Sequence, residues 1–258
     1  LMRRLTDEQV ERIAREVAAR LGARAEPAVR REAARQPGGE VVMPAAMRGR
    51  ETSTPEREGD GVFATVDACV GAARAAFRDL AAGSLQRRVA VVGAVRRAMR
   101  EHGEALARLA WEETGLGRVD HKILKNSLVT DKTPGPEILR PQTVTGDDGL
   151  TLTECAPFGV IGSITPTTNP TSTIICNTLG MIAAGNSVVF NAHTGSVGCS
   201  LATVRLLNRA ITSAGGPANL VTAVAAPTIE SAGELMHNRG INLLVVTGGP
   251  GVVKAAMQ

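Results

Sequence analysis

Four polar segments follow runs of apolar residues in the second half of this sequence, and their residue types are suited to binding a ligand. They lie at 165–170, 191–196, 225–228 and 247–251. In an open parallel sheet, ligands bind beyond the carboxyl ends of the strands. Gly248 and Gly249 would let a phosphate approach the backbone, and the free N–H groups of a helix starting there would favour its charge. One interpretation of these segments is therefore a nucleotide site.

The same glycines allow a second interpretation, in which they bind nothing. Every α/β domain needs glycines in the turns between its strands and helices, so these residues could serve the fold alone. No GxGxxG motif follows the first strand of this region, so the ordinary dinucleotide-binding fingerprint is absent. The residue pattern by itself leaves both interpretations open.

The four cysteines form no reactive or metal-binding pattern. Cys69, Cys155, Cys176 and Cys199 have neither a CxxC motif nor the Cys/His spacing of a zinc site, and they do not suggest a disulfide framework. Each sits among small or apolar residues, which predicts reduced thiols packed as small hydrophobic side chains. Cys176 is nearest to the 165–170 segment, but it falls well inside the next helix among apolar neighbours. We therefore expect no metal site, and no nucleophile among these four residues.

Length and composition indicate a globular protein of the cytoplasm. A chain of 258 residues with 43% hydrophobic residues can bury a sizeable core. No apolar run approaches the roughly 18 residues of a membrane-spanning helix, and the charged N-terminus lacks the apolar core of a secretory signal. The net charge of +4 comes from arginines interleaved with acids, and only 2% of the residues are aromatic, which argues against nucleic-acid binding.

The N-terminal part is predicted to be a helix, residues 1–21, followed by a linker, residues 22–60. The segment Thr6-Asp7-Glu8-Gln9 is a capping box, and apolar residues recur on one helical face after it. The linker is rich in Arg, Glu, Pro and Gly, which predicts flexibility. A helix on such a linker can offer its apolar face to a partner. The alternatives are that it folds back on the domain or frays.

Four helices are predicted between residues 61 and 132, and they form a helical layer. Asp67 is expected to cap an alanine-rich helix that ends near residue 82. A second helix over 85–100 is followed by a third over 103–113 and by a fourth over 118–126. The second helix is expected to bury the following apolar side chains: Val89, Val92, Val95 and Met99.

The pattern then changes to strands, which predicts an α/β fold. Residues 138–145 and 150–155, joined by a turn over 146–149, predict a hairpin. Beyond it, strands and helices alternate, which predicts a parallel, doubly wound sheet with both faces covered. The predicted strands are 160–165, 187–191, 220–224 and 243–246. The predicted helices end near 184, cover 197–213 and 229–236, and start again at 251.

Ordered motifs across residues 61–258 resemble the aldehyde dehydrogenase superfamily, and specifically its acylating, coenzyme A dependent branch of bacterial microcompartments. The motifs lie at 63–66, 112–119, 132–135, 156–170, 183–190, 214–220 and 244–251. The resemblance implies an atypical Rossmann-type sheet that binds NAD without GxGxxG. By this resemblance, residues 61–258 are expected to be an incomplete NAD/CoA-binding domain. Residues from about 136 to 156 within it are expected to form a hairpin arm used in subunit assembly.

The resemblance assigns the polar segments to the two ends of an NAD site. Four residues would line its nicotinamide and substrate end: Thr165, Pro166, Thr167 and Asn169. Four others would lie near the phosphates and ribose: Thr247, Gly248, Gly249 and Val252. His193 matches the region where the acylating branch carries a histidine in place of a ribose-binding lysine, although Ala192 and Thr194 replace the usual prolines. The alternative is a surface-loop histidine without a binding role.

Asn169 has two alternative roles. Ordinary aldehyde dehydrogenases carry Trp-Asn-Phe-Pro in the corresponding turn and use that Asn as a donor to the oxyanion. In the Thr-Thr-Asn-Pro of this chain the Asn is displaced in register, but an amide aimed at a developing oxyanion would still stabilise it. The alternative is that the Asn169 side chain caps the helix that begins at Pro170.

The resemblance implies an enzyme that converts an aldehyde, NAD and CoA to acyl-CoA and NADH, with acetaldehyde or propionaldehyde as substrate. Its nucleophilic cysteine and catalytic domain are expected beyond Gln258. We therefore expect this chain, which starts with Leu1-Met2, to be an inactive N-terminal fragment from an incomplete reading frame. Residues 6–21 would bind a microcompartment shell protein, and the full-length enzyme would be a homo-oligomer. The alternatives are a non-enzymatic nucleotide-binding or shell-adaptor protein, and a non-acylating NAD(P)-dependent aldehyde dehydrogenase.

Overall fold

The computed structural model describes residues 60–257. The predicted N-terminal helix and nearly all of the predicted linker lie outside the described residues. Residues 60–257 contain no helix with both the length and the apolarity needed to cross a bilayer. The described part opens with a two-residue strand, β1 (Val62–Phe63), which periodicity did not predict because two residues carry no detectable alternation.

Helix α1 (Val66–Ala82) follows β1 and is capped by a residue other than the predicted one. The hydroxyl of Thr65 accepts a hydrogen bond from the Ala68 N–H at 3.2 Å, so Thr65 is the N-cap and the prediction of Asp67 was wrong. Asp67 lies in the first turn, where its charge favours the positive end of the helix. Aspartate is common both at the N-cap and in the first turn of a helix, so its presence alone did not identify the capping residue.

Helix α2 (Leu85–Thr114) is one continuous helix where two were predicted, and α3 (Val119–Lys132) runs beyond its predicted end. Gly103 was taken as a break, but it is buried inside α2 and packs against Asn126 of α3. The absence of a side chain there lets two helices approach, which compensates for its low helix propensity. Val89 was predicted to point inward but is 51% exposed, whereas the other three predicted residues of α2 are buried.

The predicted hairpin is confirmed. It consists of β2 (Gln142–Gly146) and β3 (Gly149–Thr153), which pair antiparallel. All ten of its residues are exposed, including Val144, Leu150 and Leu152. A single-turn helix at Pro136–Ile138 leads into it.

The α/β prediction is also confirmed, since strands and helices alternate from residue 160 onward. They are β4 (Val160–Ile164), α4 (Pro170–Ala183), β5 (Ser187–Asn191), α5 (Val197–Ser213), β6 (Val221–Val224), α6 (Ile229–His237), β7 (Leu243–Val246) and α7 (Pro250–Ala256). The sheet is parallel with the strand order β1-β6-β5-β4-β7. It therefore has five strands where four were predicted, because β1 pairs with β6.

Helices cover both faces of this sheet, as expected for a doubly wound fold. Ile161, Val188 and Phe190 pack in one buried cluster with α2, α4 and α5. Val160 and Val189, which point to the opposite face, pack with α1 and α6. Strand β7 is only half-buried along its length because it lies at the edge of the described sheet.

Two of the four cysteines pack as predicted. Cys69 and Cys199 are buried, Cys176 is half-buried, and Cys155 is exposed. The prediction was wrong for Cys155 because it follows the exposed hairpin, so its small and apolar neighbours are not part of a core.

Candidate functional site

A cleft of about 860 Å³ lies at the carboxyl ends of the strands. Strand order reverses at β4, which has β5 on one side and β7 on the other, and this is the place where open α/β sheets bind ligands. The volume is in the range of small-molecule and cofactor sites. The cleft brings together all nine predicted site residues: Thr165, Pro166, Thr167, Asn169, His193, Thr247, Gly248, Gly249 and Val252. Their binding roles stay predictions.

The turn after β4 lines the cleft. The Thr165 N–H donates to the Asn191 carbonyl at 3.2 Å, which continues the pairing of β4 with β5. Thr165 is 2% exposed, and its hydroxyl oxygen has no hydrogen-bond partner in the described part of the chain. A buried hydroxyl without a partner costs roughly 1–3 kcal/mol. A bound polar group that reached this atom would remove that cost.

The turn after β5 is tied to the start of α6. The Ser231 hydroxyl donates to Asn191 Oδ1 at 2.6 Å, and Asn191 Nδ2 donates to the Thr228 carbonyl at 3.4 Å. Thr228 and Ser231 also form a capping box at the start of α6. These bonds fix the first turn of α6 against β5, so that it forms one wall of the cleft.

His193 lies in the turn after β5, and one of its ring nitrogens is already hydrogen-bonded within that turn. Its Nδ1 accepts from the Gly195 N–H at 3.0 Å, so the neutral ring carries its hydrogen on Nε2. A Cβ built on Gly195 would lie 3.5 Å from the Thr167 hydroxyl, which means that the turns after β4 and β5 are in close approach. His193 is exposed and lines the cleft, with Nε2–H available to a ligand.

The turn after β7 completes the cleft with little side-chain bulk. The Thr247 N–H donates to the Ile164 carbonyl at 3.1 Å, which fixes this turn beside the one after β4. A Cβ built on Gly249 would meet nothing within 4 Å, so the backbone there borders open space. Helix α7 begins at Pro250 and not at Gly251 as predicted. Proline has no N–H, so the helix start offers one donor fewer to a phosphate than the sequence suggested.

Asn169 does not cap α4 with its side chain, so that interpretation was wrong. It occupies the N-cap position, with Pro170 first in the helix, but no side-chain capping bond forms. Its Oδ1 instead accepts from Lys125 Nζ at 2.7 Å, and its Nδ2 donates to the Thr168 hydroxyl at 3.3 Å. The capping role failed because a lysine from another helix takes the amide oxygen.

Several cleft residues carried no functional signal in the sequence. Ile229, Ala232 and Met236 of α6 line the cleft, and Ile229 is 84% exposed. Their spacing is typical of the core-facing side of a helix, so it predicts burial and not a binding surface. Only the position of α6 after a sheet strand could have pointed to them.

Comparison with known proteins identifies the family. Residues 43–258 match the model of the aldehyde dehydrogenase family. The chain belongs to the aldehyde dehydrogenase family. It is 47% identical over 85% of its length to acetaldehyde dehydrogenase (acetylating) EutE of Salmonella typhimurium, and it covers 47% of that protein. The chain thus spans about half the length of the curated relatives it matches.

Solved structures agree with this assignment. A propionaldehyde dehydrogenase from the fucose utilisation bacterial microcompartment of Clostridium phytofermentans shares 49% identity, with a TM-score of 0.75 over 77% of this chain and 46% of that one. An engineered glycolyl-CoA reductase with bound NADP+ shares 46% identity, with a TM-score of 0.76 over 78% of this chain and 46% of that one. The predicted resemblance to acylating aldehyde dehydrogenases is therefore confirmed.

The cleft of this aldehyde dehydrogenase chain carries almost no charge. Among the described residues that line it, His193 is the only one with a titratable side chain. Lys122 and Lys125 of α3 are not among the lining residues, but they donate hydrogen bonds to Thr168 and Asn169, which are. Burial lowers the pKa of Lys122 below its ordinary value. The site therefore depends on backbone groups, hydroxyls and amides more than on ionic contacts.

No cysteine of this aldehyde dehydrogenase chain lines the cleft. Cys199 is buried at the start of α5, and burial raises its pKa above the ordinary range of a thiol. Burial likewise raises the pKa of Cys69 to about 12. The thiolate is the nucleophilic form of cysteine, so both residues are poor nucleophiles at neutral pH. Cys176 is half-buried and accepts a hydrogen bond from the Thr133 hydroxyl at 3.5 Å.

Proposed function

We propose that this chain is the cofactor-binding part of a CoA-acylating aldehyde dehydrogenase, which converts an aldehyde, NAD and CoA to acyl-CoA and NADH. The observation that carries the proposal is the single cleft at the carboxyl ends of β4, β5 and β7, which gathers all nine residues that the family resemblance selects. The acetylating activity in the name of the Salmonella typhimurium relative supports the acylating reaction.

The residues of the cleft fit a dinucleotide. The open space beside Gly249 admits a phosphate close to the backbone, and His193 Nε2–H can donate to a ribose hydroxyl or a phosphate. The buried hydroxyl of Thr165 lacks a partner among residues 60–257 and would gain one from a polar group at the substrate end. NAD, when bound, accepts the hydride that the aldehyde carbon loses. The engineered glycolyl-CoA reductase was solved with bound NADP+, which supports a nicotinamide dinucleotide as the ligand.

Asn169 is the proposed donor to the substrate oxygen. It lines the cleft in the turn that we assign to the nicotinamide and substrate end. An amide N–H held beside a carbonyl oxygen stabilises negative charge that develops there, at no cost of reorganisation during the reaction. The bond to the oxygen is strongest in the transition state, so a change at Asn169 is proposed to affect turnover more than affinity for NAD.

The nucleophilic cysteine is proposed to lie outside these 258 residues. None of the four cysteines lines the cleft, and the two buried ones have raised pKa values. The 258-residue chain alone is therefore proposed to form no NADH from an aldehyde. Activity requires a thiolate that reaches the aldehyde carbon beside Asn169.

The proposed setting is a homo-oligomer inside a bacterial microcompartment. The hairpin of β2 and β3 leaves Leu150 and Leu152 exposed, which suits a surface for a second copy. Residues 6–21 are the proposed contact to a shell protein, and the Clostridium phytofermentans relative comes from such a compartment. Acetaldehyde and propionaldehyde, named in the relatives, are the proposed substrates.

An assay of the full-length protein tests the proposed function. Each aldehyde is supplied with NAD, with and without CoA, and NADH, acyl-CoA and free acid are measured. We expect acyl-CoA and NADH in equal amounts when all three substrates are present. Free acid formed at the same rate without CoA would indicate a non-acylating enzyme. A protein that binds NAD but oxidises no aldehyde, or that binds no nucleotide, would instead support a nucleotide-binding or shell-adaptor protein.

A further inference from the structure

One face of helix α3 holds the turn that leads into α4. Lys122 Nζ donates to the Thr168 carbonyl at 3.2 Å, and Lys125 Nζ donates to Asn169 Oδ1 at 2.7 Å. One residue further along, Asn126 Oδ1 accepts from the Thr171 hydroxyl at 3.0 Å. Positions 122, 125 and 126 lie on the same face of a helix. This face therefore contacts three of the four residues from 168 to 171.

The helix that supplies these contacts is itself anchored. Asn126 is 2% exposed, and its Nδ2 donates to the Gly103 carbonyl of α2 at 2.9 Å. Lys122 is also buried, so its own side chain has little freedom to move. Its bond to the Thr168 carbonyl therefore fixes the main chain of the turn. The turn is held by the helical layer, and not only by the strand that precedes it.

The contact between Lys125 and Asn169 fixes the direction of the amide group. A lysine ammonium has only donors, so the atom that faces it at 2.7 Å must be the amide oxygen. The amide nitrogen is therefore on the other side, where one hydrogen goes to the Thr168 hydroxyl at 3.3 Å. The second hydrogen has no acceptor among residues 60–257, and Asn169 lines the cleft.

The charge of Lys125 also changes the amide electronically. A hydrogen bond from a cation is shorter and stronger than one between neutral groups. It draws electron density toward the amide oxygen, which makes the N–H groups of the same amide better donors, as in other hydrogen-bond chains. Lys125 is exposed and does not line the cleft, so it acts on the cleft through Asn169.

We propose that Lys125 is a positioning residue, which holds Asn169 by its oxygen so that Nδ2–H points into the cleft and donates to the carbonyl oxygen of the substrate. This inference rests on the proposed function, because it needs a substrate oxygen beside Asn169. Lys125 touches neither the substrate nor the cofactor. Its loss lets the amide turn, and the donor is then directed away from the cleft for part of the time.

The test compares kinetic constants of five variants of the full-length enzyme. Lys125→Met removes the donor and keeps most of the stem, and Lys125→Arg keeps a charged donor. Asn169→Ala removes the amide, alone and combined with Lys125→Met. Lys132→Met removes an exposed lysine from the end of the same helix and is the matched control. For each variant kcat, the KM for aldehyde, the Kd for NAD and the melting temperature are measured.

We expect Asn169→Ala to lower kcat by about 10²–10³-fold, as for other oxyanion donors, and Lys125→Met by at least about tenfold. The Kd for NAD should stay within about twofold of the wild-type value, since a residue that acts only on the donor leaves cofactor binding unchanged. Lys125→Arg should restore most of kcat, and Lys132→Met should match the wild type. In the Asn169→Ala background, Lys125→Met should change kcat by less than about twofold, because its effect needs the amide.

The outcomes distinguish the donor role of Asn169 from the positioning role of Lys125. If Asn169→Ala leaves kcat unchanged, Asn169 is not the donor and that part of the proposed function is wrong. If Asn169→Ala lowers kcat but Lys125→Met does not, the donor role stands and the positioning role of Lys125 is overturned. The positioning role is also overturned if Lys125→Met lowers kcat equally with and without Asn169. It is overturned as well if both Lys125→Met and Lys125→Arg lose activity together with a lower melting temperature, because the loss then reflects stability.

Discussion

The Ser231 hydroxyl donates to Asn191 Oδ1 at 2.6 Å, and this bond joins the carboxyl end of β5 to the first turn of α6. The same Ser231 oxygen accepts from the Thr228 N–H at 2.8 Å. Asn191 is 3% exposed, so little of its side chain is open to water as an alternative donor. Two walls of the cleft are thus held together by one buried hydroxyl.

Replacing Ser231 by Ala should destabilise the protein, because it removes the bonds that hold the start of α6 to β5. The change leaves Asn191 Oδ1 and the Thr228 N–H without partners, which costs about 1–3 kcal/mol of unfolding free energy. Urea denaturation measures this cost. Ser213→Ala is the matched control, because Ser213 is exposed at the end of α5, and we expect its effect to stay within about 0.5 kcal/mol. Equal unfolding midpoints for both variants would contradict the prediction.

Alkaline pH should destabilise the protein through Cys69. Burial raises the pKa of this thiol from 9.0 to about 12. Between these two values the unfolded state has lost the proton and the folded state keeps it, so the unfolding free energy falls as the pH rises. One such group contributes a slope of about 1.4 kcal/mol per pH unit. Urea denaturation at a series of pH values above 9.0 measures the slope.

Cys69→Ala provides the control for this slope. Alanine has no proton to lose, so the variant should show a smaller decline by about the contribution of one thiol, while other alkaline groups contribute equally to both proteins. If the variant and the wild type lose stability with the same slope, Cys69 is not responsible. The pKa of Cys199 is also raised by burial, so part of the decline should remain in Cys69→Ala.

The hairpin should determine the oligomeric state of the full-length protein. Leu150 pairs with Thr145 and Leu152 with Thr143, so the two leucines lie on one face of the hairpin, where both are exposed. Replacing both leucines by Glu should lower the molecular mass measured by light scattering, because charges are costly in an apolar interface. Gln142→Glu, which adds a charge to the same hairpin without removing apolar surface, should leave the mass unchanged. An unchanged mass for the leucine variant would place the interface elsewhere.

Elements with strong local patterns could be predicted from the sequence. Strands β5 and β7 and helix α5 have the predicted bounds, since apolar strands and an amphipathic helix are bracketed there by polar turns. The predicted site residues lie in the turns after β4, β5 and β7 and, for Val252, at the start of α7. They come together because parallel strands bring their carboxyl ends to one edge. Local order was therefore sufficient to find the cleft.

Features that depend on distant residues could not be predicted. Gly103 is a helix breaker by propensity, but its packing against Asn126 of α3 keeps α2 continuous. Asn169 has the sequence context of a helix cap, and only the fold reveals that Lys125 takes its oxygen. The prediction that Val89 is buried was wrong for the same reason. Periodicity identifies one face of α2, but it does not show how far the neighbouring layer covers that face.

The central claim, that NAD binds in the cleft, is tested most directly by calorimetric titration of NAD into the wild-type protein and a Gly249→Leu variant. A Cβ at Gly249 would meet no described atom within 4 Å, and Gly249 lines the cleft, so we expect the variant to fold and its leucine to occupy space at the cleft. Gly71→Leu, at an exposed position of α1 with equal free space, is the control. We predict one NAD per chain for the wild type and Gly71→Leu, and at least about tenfold weaker binding for Gly249→Leu. Equal affinity in all three folded proteins, or no binding to the wild type, would contradict the claim.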